Sequence, residues 1–148
     1  MAGVSYDLDR QSGHDTHVAA TVRFGSGGIG TLECSLKHAS PREAVICGTR
    51  GVIRIPFPFW CPTRFTIQRM EGPASQRWSE PEVFEYDLPS ITGPFTFVHS
   101  EGLAYEAAAV HRCLRAGHTE ADEFTSDECI RVMRLVSQIR SYLSLIHI

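Results

Sequence analysis

Few residues of this chain are chemically suggestive, and most of them lack the spacing their chemistry needs. Gly25, Gly27 and Gly30 fit the pattern G-x-G-x-x-G. In a dinucleotide fingerprint that pattern opens a helix whose N-terminus faces the pyrophosphate. Here Thr31 to Leu36 follow, alternating in polarity like a strand. The glycines are therefore expected to serve a hairpin turn, and no cofactor-binding residue is assigned. His14, His17, His38, Cys34 and Cys47 raise a metal reading. No C-x-x-C or H-x-x-x-H accompanies them, and His14 and His17 lie outside any helical pattern, so no metal ligand is assigned. His111 and Cys113 fall in the same class. Serine, histidine and aspartate are all present without a G-x-S-x-G elbow, which leaves nucleophilic hydrolysis unsupported and the catalytic assignment empty. Lys37 is the lone lysine among 14 basic residues and so the only candidate for lysine chemistry.

One stretch has a firmer physical meaning. Pro56-Phe57-Pro58-Phe59-Trp60-Cys61-Pro62 sets three aromatics in a loop stiffened by three prolines. Such a cluster is either a lid over the core or an apolar wall for a substrate. Phe95, Phe97 and His99, ahead of the first predicted helix, are placed to face it.

These residues must be positioned by elements whose periods are readable. Met1 to Asp15 is polar and without period, and reads as a loop or the remnant of an upstream region. Val18, Ala20, Val22 and Phe24 alternate with polar or small neighbours, as do Leu32, Cys34 and Leu36, giving two strands joined through Gly25–Gly28. A third strand covers about Glu43–Cys47. Gly48–Gly51 is a tight turn, and Val52–Ile55 is the fourth strand. Phe65 and Ile67 mark a fifth, Gly72–Ser75 a loop, and Val83–Leu88 a sixth strand with Phe84 and Tyr86 on one face.

From Leu103 the period becomes helical. Leu103, Ala107, Val110 and Leu114 form an apolar stripe, ended by a left-handed cap at Gly117. A second helix starts with Thr125 and Glu128 as a capping box and Phe124 placed to staple Cys129. Its stripe is Cys129, Val132, Met133, Val136 and Ile139. Strands followed by helices predict an α+β fold: an open, mostly antiparallel six-stranded sheet with the helices on one face. The opposite face is expected to expose either Thr31, Glu33 and Ser35 or Leu32, Cys34 and Leu36, and to be a self-association surface. Residues 16–142 then form the domain. Leu143–Ile148 reads as a non-native tail, equal to the in-frame translation of a transposon-end adaptor.

Composition bounds the function. With 148 residues, 43% hydrophobic and 21% charged, the chain is long enough for one real core. A net charge of −3 gives no nucleic-acid footprint, and no apolar run approaches a membrane span. No secretion leader is evident. Five cysteines without framework spacing predict reduced thiols and a cytoplasmic protein.

Gly48-Thr49-Arg50-Gly51 after a strand, Trp60-Cys61-Pro62, Gly102-x-x-Tyr105-Glu106-Ala107 and Arg112 through Gly117 follow one another in an order that resembles the C-terminal domain of the glucose–fructose oxidoreductase and inositol dehydrogenase family. Within it the chain is most similar to the dihydrodiol dehydrogenase and NADP-linked D-xylose dehydrogenase branch, from about Asp15 to Tyr142. The resemblance implies a two-domain enzyme. A Rossmann domain binds NAD(P) and precedes an open sheet that shapes the substrate pocket and pairs subunits. The family's catalytic lysine lies in Glu-Lys-Pro, which Lys37 does not match. The resemblance implies Trp60 and Phe97 as substrate-binding residues. The chain is thus expected to be the pocket-wall and oligomer part of an NAD(P)-dependent oxidoreductase for a sugar or cyclic diol, lacking the Rossmann domain and the lysine. The alternative is a free-standing, non-enzymatic binding or dimerisation module.

Overall fold

The computed structural model describes residues 3–9, 11–72 and 77–144. Their strands, in chain order, are β1 (Gly3–Leu8), β2 (Asp15–Arg23), β3 (Ile29–Ser35), β4 (Ala44–Gly48), β5 (Gly51–Ile55), β6 (Arg64–Glu71), β7 (Arg77–Trp78) and β8 (Glu82–Glu85). The helices are α1 (Leu103–Ala116) and α2 (Ser126–Ser144). The α+β class and the open antiparallel pairing are as expected. The strands, however, form two sheets, β1-β2-β3 and a five-stranded sheet of β4 to β8. β3 and β4 are successive yet unpaired, and between them Pro41 has no amide hydrogen and Arg42 adopts φ 54°. The chain divides into two compact units, residues 1–40 with 120–148, and residues 41–119. The range 16–142 spans both.

In the first unit the β2–β3 hairpin forms in the register that its alternation requires, from His17 opposite Ser35 to Arg23 opposite Ile29. The glycine pattern is its turn. Phe24 N–H donates to Gly28 C=O at 2.9 Å, Gly27 has φ 91°, and Gly30 pairs with Val22 inside the ladder. No helix follows those glycines. The polar entry expected as a loop holds β1, which pairs with β2 from Gly3 opposite Thr21 to Leu8 opposite Asp15. Its backbone fills an edge position that needs no apolar alternation of its own.

α2 covers one face of this sheet. Ala20, Val22 and Ile139 are buried, and Val18, Leu32 and Cys34 line a groove with Val136 and Ile139. The face bearing Thr31, Glu33 and Ser35 is therefore the one on which α2 does not pack. The capping box forms as predicted. Thr125 N–H donates to Glu128 Oε2 at 3.0 Å, and Glu128 N–H donates to Thr125 Oγ1 at 3.3 Å. Both bonds satisfy amides that a helix start leaves unpaired. Of the predicted α2 stripe only Ile139 is buried, while Val132, Met133 and Val136 stay exposed. The C-terminal residues 145–148, like Met1, Ala2 and Pro73–Ser75, lie outside the described residues.

In the second unit β4, β5 and β6 pair in order and β8 adds to β6. Gly51 is required where β5 meets β6, because a Cβ there would overlap the Gln68 carbonyl oxygen. Phe65 and Phe84 are direct cross-strand partners and stack with centroids 4.7 Å apart, and Tyr86 joins them at 6.0 Å. α1 ends where predicted: Gly117 is left-handed at φ 73°, and His118 N–H donates to Cys113 C=O at 2.9 Å. Its expected apolar stripe faces outward, however. Leu103 is 66% and Leu114 70% exposed, whereas Ala104, Ala109 and Cys113 take the half-buried positions. A helical period defines a stripe without saying what covers it. Among the described residues no helix is long and apolar enough to cross a membrane.

Candidate functional site

The aromatic loop leaves β5 at Ile55 and enters β6 at Arg64, so both of its ends are anchored in the sheet. Pro58 is buried, the Phe57–Pro58 peptide is cis, and Cys61 N–H donates to Pro58 C=O at 3.1 Å. This turn lifts Trp60 to the crest. Phe57 and Phe59 meet the indole edge-on, with centroids 5.4 and 5.7 Å away. That is the orientation the ring quadrupoles favour. The Arg42 guanidinium lies 4.3 Å from the Phe57 centroid, a cation–π contact that steadies the cluster from β4's entry. Trp60 remains 53% exposed.

Phe97 sits in the segment that leads into α1 and is 77% exposed. Its carbonyl accepts from Ser100 N–H at 3.3 Å and Ser100 Oγ–H at 2.8 Å, which fixes the backbone but leaves the ring free. Two neighbours tie this segment to the aromatic loop. His99, held left-handed at φ 61°, places Nδ1 2.8 Å from Cys61 C=O. A carbonyl only accepts, so Nδ1 carries the hydrogen. Gly102 admits the Cys61 side chain, because a Cβ there would overlap Sγ. Tyr105 Oη–H donates to Asp87 C=O at 2.8 Å and holds the start of α1. Trp60 and Phe97 thus stand on two fastened loops of one unit, without a ring contact between them among the described residues. Arg42 was not singled out in the sequence, since nothing local announces that it folds over Phe57.

The other suggestive residues are placed as follows. His14 is exposed in the β1–β2 turn, and Cys34, Cys47 and Cys129 are exposed free thiols. Lys37 forms an ion pair with Asp7, and that ammonium, as hydrogen-bond donor and as charge, holds the Asp7 carboxyl below the usual range. His17 and His38, dismissed on spacing, meet at Glu33 on the sheet face opposite α2. The His38 hydrogen bond, with the nearby His17 charge, holds the Glu33 carboxyl below its ordinary value. Only the ladder register reveals this cluster: alternation puts His17, Glu33 and Ser35 on one face, and the turn after Ser35 returns His38 to it.

The class these observations define is an α+β protein with an exposed, proline-held aromatic loop beside a helix start. No protein-family model matches the chain. It is 25% identical over 136 residues to a Danio rerio protein named trans-1,2-dihydrobenzene-1,2-diol dehydrogenase, covering 92% of this chain and 37% of that protein. Proteins of the same name are 28% identical over 111 residues in Xenopus tropicalis (75% and 30% covered) and 25% over 130 residues in Homo sapiens (88% and 35%). The chain spans about a third of the length of the curated relatives it matches. These similarities bear out the resemblance to the dihydrodiol dehydrogenase branch.

Proposed function

We propose that this chain is the substrate-side part of a larger NAD(P)-dependent oxidoreductase acting on a hydroxyl of a cyclic diol or a sugar. The observation that carries this is the similarity of nearly the whole chain to about a third of proteins named trans-1,2-dihydrobenzene-1,2-diol dehydrogenase. The remaining part would supply a Rossmann domain and the catalytic lysine. The nicotinamide, when bound there, accepts or gives the hydride, and protein groups position the substrate and move the proton. This chain's contribution is apolar wall: the Trp60 indole and the Phe97 ring lie against a ring or sugar face and exclude water.

The outward stripe Leu103, Val110 and Leu114 is apolar surface available to the rest of the enzyme. The face of the first sheet opposite α2 is the proposed subunit contact. The unpaired thiols fit a reducing, cytoplasmic setting.

The test is kinetic, on the whole enzyme that contains this chain, with trans-1,2-dihydrobenzene-1,2-diol and D-xylose as trial substrates and NADP+ as oxidant. Trp60→Ala should lower kcat/KM by an amount equal to about 1–3 kcal/mol of transition-state binding, by more than it lowers stability. A variant that melts early yet keeps wild-type kinetics at low temperature would make Trp60 structural. A gene whose coding sequence carries no nucleotide-binding half would favour the free-standing module.

A further inference from the structure

His17, Glu33 and His38 come together on the face of the three-stranded sheet opposite α2, and their ligand atoms all lie within 4.8 Å of one another. His17 Nε2 is 3.3 Å and His38 Nε2 2.9 Å from the same atom, Glu33 Oε1. The two contacts are unequal. His38 makes a hydrogen bond, whereas His17 Nε2 is shielded from solvent and has no hydrogen-bond partner. Glu33 therefore holds His17 Nε2 by an ion-pair contact only, and an ion bound by all three groups would satisfy that nitrogen fully.

We propose that His17, Glu33 and His38 bind a divalent transition-metal ion of the zinc class. Ligands held about 2.0–2.1 Å from a tetrahedral zinc stand about 3.3 Å apart, and Glu33 Oε1 already lies 3.3 and 2.9 Å from the two imidazole nitrogens. Two imidazoles and one carboxylate suit zinc, cobalt or nickel better than magnesium or calcium, which take oxygen ligands. Zinc would satisfy His17 Nε2 and leave the remaining position to water. The supporting shell is in place. Ser35 Oγ lies 3.1 Å from His38 Nδ1 and also accepts from Lys37 N–H at 3.1 Å. The turn therefore fixes the ring so that Nε2 faces Glu33. With metal bound, Nδ1 carries the hydrogen and donates it to this hydroxyl, as outer partners of metal-bound histidines do. The rings of His17 and His38 meet edge-on with centroids 4.8 Å apart.

The experiment titrates the 148-residue chain with Zn2+ by calorimetry and with Co2+ by absorption, with circular dichroism recorded in parallel. One equivalent should bind, with a Co2+ spectrum of nitrogen and oxygen ligation. His17→Ala, His38→Gln and Glu33→Gln should each weaken binding by more than the tenfold typical of losing an outer partner, and Ser35→Ala by about tenfold. His14→Ala, in the exposed turn, should change nothing. His38→Gln and Glu33→Gln keep polar side chains of similar reach, so folded variants are obtained even if His17→Ala unfolds. Undiminished Zn2+ affinity in those folded variants would overturn the assignment. So would a thiolate charge-transfer band with Co2+, which would move the ion to the exposed cysteines, or a folded chain that binds no Zn2+.

Discussion

The two units solve the same problem in different ways. The first lays a capped helix on a small sheet and buries Ala20, Val22 and Ile139 between the two, leaving His17, Glu33 and His38 together on the opposite face. The second buries Val52 and Pro58 and holds itself by aromatic edges and stacks, with its largest rings outward. The difference teaches where each kind of residue is useful. A helix-on-sheet layer frees one face for charged chemistry. A sheet whose aromatics sit on a proline-held loop offers a rigid apolar surface that needs little ordering when a ligand arrives.

The sharpest way to break this comparison is Ile139→Ala. It removes the one buried side chain among the described residues of α2 and should cost about 2–4 kcal/mol, read as an earlier urea midpoint of the helical circular dichroism. A loss under half of the lower figure would mean that α2 is not held by this contact. Gly51→Ala tests the second unit at its closest backbone approach. The added Cβ meets the Gln68 carbonyl of the neighbouring strand, so about 1–3 kcal/mol should be lost. Tryptophan fluorescence is the matching readout, because Trp60 and Trp78 both lie in that unit. An unchanged midpoint would show that the strands can separate freely there.

The smallest effects belong to the start of α2. Thr125→Ala should cost about 1 kcal/mol by removing the cap. Glu128 and Glu120 accept backbone N–H groups of Thr125 and Ser126, and those hydrogen bonds hold both carboxyls below their usual 4.5. A folded-state value below the unfolded one stabilises above the unfolded value. That stability is lost as pH falls through the folded value. Thermal stability should therefore decline below about pH 4.5, and Glu128→Gln should flatten part of that decline. An identical acid profile in Glu128→Gln would remove the carboxylate from the account.

Local signals carried far in this chain. The β2–β3 hairpin, the Gly48–Gly51 turn, the Thr125–Glu128 box and the Gly117 cap were all legible, because each depends on residues a few positions apart and on backbone sterics. So was the mismatch between the glycine pattern and a nucleotide site, since a strand period follows it. Trp60's setting was legible as far as the prolines reach. Arg42 over Phe57 and His99 on Cys61 were not, because they join residues 15 and 38 positions apart in the sequence.

By itself the sequence determined where β2 to β6, the tight turns and the helix ends fall, but it marked neither β1, in a stretch read as a loop, nor β7. Tertiary structure alone decided that β1 joins the first sheet and that the strands divide into two sheets. It decided that α2 packs on the face bearing Ala20 and Val22 rather than on that of Thr31 and Ser35, and that α1 turns Leu103 and Leu114 outward. It also brought His17, Glu33 and His38 to one point. Period and capping are properties of a single segment, fixed by φ and ψ and short hydrogen bonds, whereas pairing, register and coverage depend on which surfaces meet, and segments far apart in the chain carry no local mark of that.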